Sequence, residues 1–357
     1  MLKTTPAVFA VEDTYQILVP TTAPCLFWVR VGDEEYYDES NGIMKSLSEL
    51  HRVTVPTAAL DVAGEYTVCV RPLIERKPYF TETEPVKEYT FPFHPVPQKN
   101  ARAYHISDAH NRIEEPVKAA QTFGDIDFLI FNGDVIDHSG DPSKFDNIYL
   151  LAARLTGGEK PCVFSRGNHD MRGNFAEKFA EYTPAANGKT YYTFKLGSIW
   201  GMLLDCGEDK PDDHAEYGYT VCCHAFRKRQ TAFIETVLKD AATTYAASDV
   251  KTRVLIAHHP FSWVNTPPFD IEQDLYKQWC EMLKPVGFDV MICGHLHRLE
   301  IWQPGGENDH LGQLCPVVIG SKPGKEYFAG AGYTFGENGI TVTFTDSEGA
   351  ILGKHMV

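Results

Sequence analysis

The chain has 357 residues, longer than one ordinary domain, and its 43% apolar and 23% charged content is that of a globular protein with a sizeable core. No apolar run approaches the roughly 20 residues a helix needs to cross a bilayer, so no membrane span is expected. A formal charge of −15 with no basic patch argues against a nucleic-acid polymer as the main partner.

The N-terminus, MLKTTPAVFAVEDTYQ, carries one lysine and a short apolar patch, a poor secretory signal. A cytoplasmic location is expected, with a trimmed signal as the alternative. Residues 1–95 then read as short strands: YQILVP, CLFWVRVG, HRVTVP, GEYTVCVRPL and VKEYTFPFHPV. Apolar and polar residues alternate along them and turn residues separate them, which predicts a small all-β sandwich of fibronectin or immunoglobulin type. Cys25 and Cys69 flank Trp28 as a disulfide pair would, but strand phase sets them apart. Cys25 shares a face with Phe27, Val29 and Val31, whereas Cys69 lies opposite Tyr66, Val68 and Val70. All nine cysteines are expected to be reduced thiols. The proline-rich FPFHPVPQKN reads as a linker and puts a domain boundary between residues 95 and 96.

Over 96–357 the pattern becomes strands alternating with helices. The strand ARAYHIS precedes the helical RIEEPVKAAQTF, IDFLIFN precedes a helix near 142–156, and PCVFS precedes one near 172–181. SIWGMLLDC, the helix RKRQTAFIETVLKDAATTY, TRVLIA, the helix LYKQWCEMLKPV and FDVMIC follow. Such alternation predicts βαβ units around a buried sheet. The tail RLEIWQ, LCPVVIGS and GITVTFTD is strand-rich and suggests a second sheet packed on the first. The Gly-rich GAGYTFGENG reads as turns, since its spacing is not that of a phosphate loop. The expected fold is α/β, a double β-sheet sandwich flanked by helices, preceded by the small all-β sandwich.

Five of these hydrophobic strands run into polar clusters: Asp108-Ala109-His110, Gly133-Asp134 with Asp137, Arg166-Gly167-Asn168-His169-Asp170, His258-His259-Pro260, and Gly294-His295-Leu296-His297. Sites in open α/β sheets form outside the carboxyl ends of strands, so these clusters should converge. Asp, Asn and His without a thiolate are donors for Mn, Fe, Zn, Co or Ni rather than for a structural cysteine zinc site. Seven ligands are too many for one ion but suit two that share a carboxylate. Such a pair, roughly 3.5–4 Å apart, can grip a phosphoryl group and acidify bound water.

The ordered set D-x-H, GD-x-x-D, GNH-D, H-x-P and GH-x-H, spanning roughly residues 100–300, resembles the calcineurin-like metallophosphoesterase family. The resemblance implies an α/β/β/α fold and hydrolysis of phosphate esters at a dinuclear centre with a bridging hydroxide. By position, Asp108, His110 and His297 would bind one ion and Asn168, His258 and His295 the other, with Asp134 bridging. Manganese, iron or zinc are the expected ions. His169 would stand beside the phosphate as acid or transition-state stabiliser, with Asp170 orienting it and Arg166 clamping a phosphate oxygen. His259 is read as a neighbour of the ligands, and Asp137 as an acceptor for a ligand histidine or a loop acid. The β-sandwich ahead of the catalytic region is the layout of purple acid phosphatases. Their metal-binding tyrosine, however, is replaced here by Asp137, which argues against the purple subclass.

The expected substrate is a small or protein-borne phosphomonoester, the alternative a nucleotide-type or lipid-headgroup diester. GEDKPDDHAEYGYTV and FSWVNTPPFDIEQ are expected to line the mouth, where Tyr217, Phe261, Trp263 and Phe269 could stack on an aryl group. The competing reading is a metal-bound scaffold without catalysis. A further alternative makes residues 1–95 a binding module, but they contain no recognisable site.

Overall fold

Strands Ala101–Ile106, Phe128–Asn132 and Pro161–Ser165 pair in parallel in the computed structural model, which describes residues 1–357. Ile199–Leu204, Thr252–Ala257, Val290–Cys293 and Val317–Gly324 form a second parallel set. Tyr327–Gly336 runs antiparallel to both Val317–Gly324 and Ala101–Ile106 and so joins the two sets into one 15-stranded ladder. Side-chain alternation shows how that ladder packs. Ala103, Ile130 and Val163 from one set share a central core with Leu203, Ile256 and Ile292 from the other. The residues between them point outward. Leu129, Phe131 and Phe164 pack with helices Glu114–Phe123 and Asp146–Thr156, and Leu204, Leu255 and Met291 with Cys223–Lys239 and Gln273–Leu283. The result is helix, sheet, sheet, helix. Each fully buried aliphatic side chain in these layers contributes about 1.5–3 kcal/mol.

The N-terminal all-β region is present, and one of its two layers belongs to the large sheet. Ala7–Val11, Thr14–Pro20 and Leu50–Pro56 continue the ladder, with Val8 opposite Pro161 and Phe9 opposite Cys162 in parallel register. The other layer holds Cys25–Val31, Glu34–Tyr37, Glu65–Glu75 and Lys87–Pro92. Cys25 stands opposite Pro72 and Cys69 opposite Trp28, and all nine cysteines are free.

Two expectations along the chain are corrected. The Gly-rich stretch read as turns, residues 330–339, lies in strand Tyr327–Gly336 up to Gly336, and only Glu337-Asn338 form a turn. Its glycines make room for rings: a Cβ on Gly330 would lie 2.7 Å from the Tyr104 hydroxyl, and one on Gly332 2.2 Å from the Phe123 ring. The helix expected near 172–181 is two short 3-10 turns, His169–Met171 and Ala176–Glu181, interrupted at Gly173 with φ +110°. No helix is long and apolar enough to cross a membrane.

Candidate metal centre

The polar clusters converge at the strand ends, and the backbone there is unusual. Asp108, His110, Asp134, His295 and His297 all have φ between +45° and +66°. Non-glycine residues in this region cost of order 1–3 kcal/mol each, a strain that concentrates at functional sites. The glycines of the motifs serve close approach. A Cβ on Gly167 would sit 2.1 Å from Asp134 Oδ1, and one on Gly294 would sit 1.8 Å from Ser107 Oγ and 2.7 Å from Asp108 Oδ2. At Gly167 the requirement is therefore space for the Asp134 carboxylate rather than the sharp turn that glycine often supplies.

All seven residues expected as ligands lie in one cluster. The donor atoms of Asp108, His110 and His297 lie within 4.8 Å of one another, as do those of Asp108, Asp134 and His258. Nε2 of His297 is 3.4 Å from both Asp108 Oδ1 and His110 Nε2. Nε2 of His258 is 3.2 Å from Asp134 Oδ2 and 3.7 Å from Asp108 Oδ1. Asn168 Oδ1 faces His295 Nδ1 at 3.1 Å and His259 Nε2 at 3.4 Å. His259 forms a third donor group with His258 and His295.

Outer contacts aim these donors. The Asn132 carbonyl lies 2.6 Å from His258 Nδ1 and can only accept, so Nδ1 carries the hydrogen and Nε2 turns to the carboxylates. Ser107 and Ser321 hydroxyls donate to Asp108 Oδ2. Asp137 Oδ1 lies 3.3 Å from His110 Nδ1, without hydrogen-bond alignment. Burial pushes the Asp108 carboxyl up, but His258 and His297 outweigh it and hold it well below the usual range. Burial disfavours the charged imidazole of His258 too, yet Asp134 and Asp108 bring its pKa to about 10. His295 is instead depressed to about 4, by burial and then by His258. Two buried carboxylates thus demand a cation, and His258 Nε2 is buried without a hydrogen-bond partner. Facing imidazole nitrogens, hard oxygens and an unpartnered buried nitrogen fit divalent ions.

The remaining expected residues are placed differently. His169 is at the mouth, Nε2 4.0 Å from Asp134 Oδ2, and its Nδ1 donates to the Asp137 carbonyl at 2.8 Å. The main chain of Asp137 orients it, not Asp170. Asp170 is buried and its Oδ2 accepts from the N–H groups of Gly167 and Asp134, buried donors that the turn would otherwise leave to find a partner. Arg166 is turned away from the cluster, with Nε 2.8 Å from the buried Asp205 and its guanidinium against the Phe226 ring. Charge pairing with a buried carboxylate outcompetes the clamp expected of it.

Sequence reasoning missed Arg172, Glu208 and Asp209. Nε of Arg172 donates to Glu208 Oε1 at 2.9 Å and Nη2 to Oε2 at 2.8 Å, and Nη1 lies 3.4 Å from His169 Nε2. Asp209 Oδ2 is 4.0 Å from His295 Nε2, so the acidic loop does border the cluster. Phe261, Trp263 and Phe269 line a recess beside His259 and His295 that also includes Tyr276 and Asn265. Tyr217 donates to Asp209 Oδ1 at 2.8 Å. The i, i+3 spacing of His169 and Arg172 on one turn was the available signal.

A helix–sheet–sheet–helix sandwich with a histidine–carboxylate cluster at its strand ends defines a metal-dependent hydrolase fold. The family model for calcineurin-like phosphoesterases matches residues 101–299, more than half of the chain, and the chain belongs to that family. It is an enzyme of the phosphoric ester hydrolase class. A probable cyclic nucleotide phosphodiesterase of Rhodopseudomonas palustris is 26% identical over 211 residues, 56% of this chain and 67% of that protein. The serine/threonine-protein phosphatase CPPED1 of Danio rerio is 22% identical over 208 residues, 56% of this chain and 62% of that protein. The purple acid phosphatase PPD1 of yellow lupin (Lupinus luteus) shares the fold, with a TM-score of 0.61, 12% identity and coverage of 98% of this chain and 73% of that one.

Proposed function

We propose that this enzyme cleaves phosphate esters at a dinuclear centre in which Asp108, His110 and His297 hold one ion, Asn168, His258 and His295 the other, and Asp134 both. The observation that carries this reading is the position of Asp134, whose carboxylate lies against His258 and within reach of His169 while sharing a donor group with Asp108. Manganese, iron or zinc, when bound, would supply Lewis acidity and lower the pKa of water toward neutrality. The chain does the rest. Asp108 and Asp134 would hold the ions and offset part of their charge, leaving the site favourable to an anion. His169, with its Nδ1 hydrogen committed to Asp137, presents Nε2 to the cleft, where it exchanges a proton with the leaving alcohol.

A phosphomonoester, small or on a protein, is the substrate we favour, in keeping with the protein phosphatase among the relatives. The diester reading is favoured by a separate observation, the probable cyclic nucleotide phosphodiesterase among the relatives, although the aromatic recess beside His295, about 40 Å³, is too small to seat a nucleoside ring as it stands. We also infer that residues 96–357 are the catalytic unit and residues 1–95 its structural support.

The test uses metal-stripped protein with p-nitrophenyl phosphate and bis-p-nitrophenyl phosphate, before and after adding Mn, Zn or Fe(II). Turnover restored by metal, and abolished in Asp134→Ala and Asn168→Ala, is expected, and the preferred ester separates the two substrate readings. Two equivalents of metal bound with neither ester cleaved would favour the scaffold.

A further inference from the structure

We propose that Arg172, held by Glu208, is the side chain that grips the phosphoryl oxygens, the role expected from the sequence for Arg166. This rests on the phosphoesterase reading above. Glu208 is fully buried and takes Nε and Nη2 of Arg172 in a two-point contact, which fixes the plane of the guanidinium. Asp209 adds a contact to Nη2 at 3.3 Å. The Nη1 edge is left facing the mouth, 3.4 Å from His169 Nε2. The other oxygen of Asp209 lies 4.0 Å from His295 Nε2, so the Asp209 carboxylate stands between the guanidinium and the His295 side of the cluster.

The chain itself shows what ligand this edge takes. The carboxylate of Glu216 lies 3.3 Å from Arg172 Nη1 with one oxygen and 3.0 Å from Lys210 Nζ with the other. Its side chain is 41% exposed, and its third neighbour, His214 Nδ1, is 4.0 Å away. Solvent screens a carboxylate this exposed, so a phosphate dianion drawn by the centre can displace it. Glu216 thus occupies the position of a substrate oxyanion, whereas buried Glu208 keeps Arg172 in place. A guanidinium stays charged across the working pH range, and with Nε and Nη2 held by Glu208 and Asp209 its Nη1 hydrogens remain for a phosphate oxygen, which suits it to charge that grows in the transition state.

The experiment compares the Mn-loaded full chain with Arg172→Ala, Arg172→Lys and Glu216→Ala. Four quantities are read: kcat/KM on p-nitrophenyl phosphate, the inhibition constant of inorganic phosphate, bound metal equivalents and thermal midpoint. Arg172→Ala should lower kcat/KM by about 10²–10³-fold, the scale of losing one transition-state donor. It should also weaken phosphate at least about tenfold, the scale of one charge-assisted contact of ~1.4 kcal/mol, with metal content kept. Arg172→Lys should recover part of both, and Glu216→Ala should tighten phosphate. Arg172→Ala with unchanged phosphate inhibition and unchanged kcat/KM overturns the proposal. So does a loss that tracks falling metal content and that lysine does not relieve, which would mark a structural role. A wild-type chain that binds metal but neither cleaves the ester nor binds phosphate rejects the phosphoesterase reading itself.

Discussion

Asp170 lies entirely inside the protein, and its Oδ2 accepts from the Gly167 N–H at 2.8 Å and the Asp134 N–H at 3.2 Å. It ties the turn carrying Asn168 to the turn carrying Asp134. Burial, and then the Asp134 charge, push its pKa up to about 8, so a neutral acceptor should replace it well. Asp170→Asn is therefore expected to keep stability and metal binding. Asp170→Ala strands two buried donors and should destabilise the fold by about 1–3 kcal/mol, read as a shift in urea midpoint. Equal behaviour of the two variants would refute this role. Gly294→Ala makes a harsher test, since its Cβ would meet Ser107 Oγ and Asp108 Oδ2. Metal uptake should fall in a chain whose far-ultraviolet circular dichroism is unchanged, and full uptake would count against the close-approach argument. The cluster was legible in the sequence because ligand chemistry dictates residue type and strand ends dictate place. The directions of Arg166 and Asp170 were not, because each depends on which buried partner, Asp205 or a pair of backbone N–H groups, lies nearest after folding.

Strands and loops differ in how far pattern reveals them. Cys25–Val31 alternates buried and half-buried side chains and reads directly as a strand. Ala7–Val11 is buried throughout and has no alternation to detect, so its place in the large sheet was hidden. The loop carrying Glu208, Asp209 and Glu216 has no period at all, and its role appears only once Arg172 is seen to lie against it. Leu50–Pro56 hides another network, in which His51 Nδ1 pairs with Asp38 at 2.9 Å and Nε2 with Cys25 Sγ at 3.2 Å, with Lys45 on the far oxygen of Asp38. Burial lowers the His51 pKa, but the contacts with Asp38 and Cys25 raise it to about 9, above the ordinary 6.5. The folded state thus binds this proton more tightly than the unfolded chain. The stabilisation is complete below about pH 6.5 and is lost as pH rises through about 9. Urea midpoints of the wild type should fall between those values, and those of His51→Gln should fall less. A wild-type midpoint that stays level, or parallel slopes in both proteins, would remove His51 from the account.

At the scale of the molecule, the proline-rich stretch before residue 100 does not separate two bodies. Val8 and Phe9 pair with Pro161 and Cys162, so the N-terminal strands cover an edge of the ladder that supports the GNH turn. Further ties cross the same join. Tyr66 OH donates to the Gly158 carbonyl at 2.7 Å, Gln16 exchanges two hydrogen bonds with Ala185, and Arg52 caps the carbonyls of Ala180 and Glu181. Val8, Ile17, Val53 and Phe27 belong to the same core as Val163, Tyr192 and Phe194. A chain of residues 96–357 alone would bare that core and leave Pro161–Ser165 as an open edge, a surface prone to pair with other chains. It is expected to aggregate or to bind hydrophobic dye, with a broad thermal transition and metal uptake well below that of the full chain. Adding residues 1–95 as a separate chain should restore little, because the strands must pair within the ladder as it forms. A truncated chain that melts in one sharp transition and cleaves ester at the full-length rate would mean that the shared sheet is not what holds the site together.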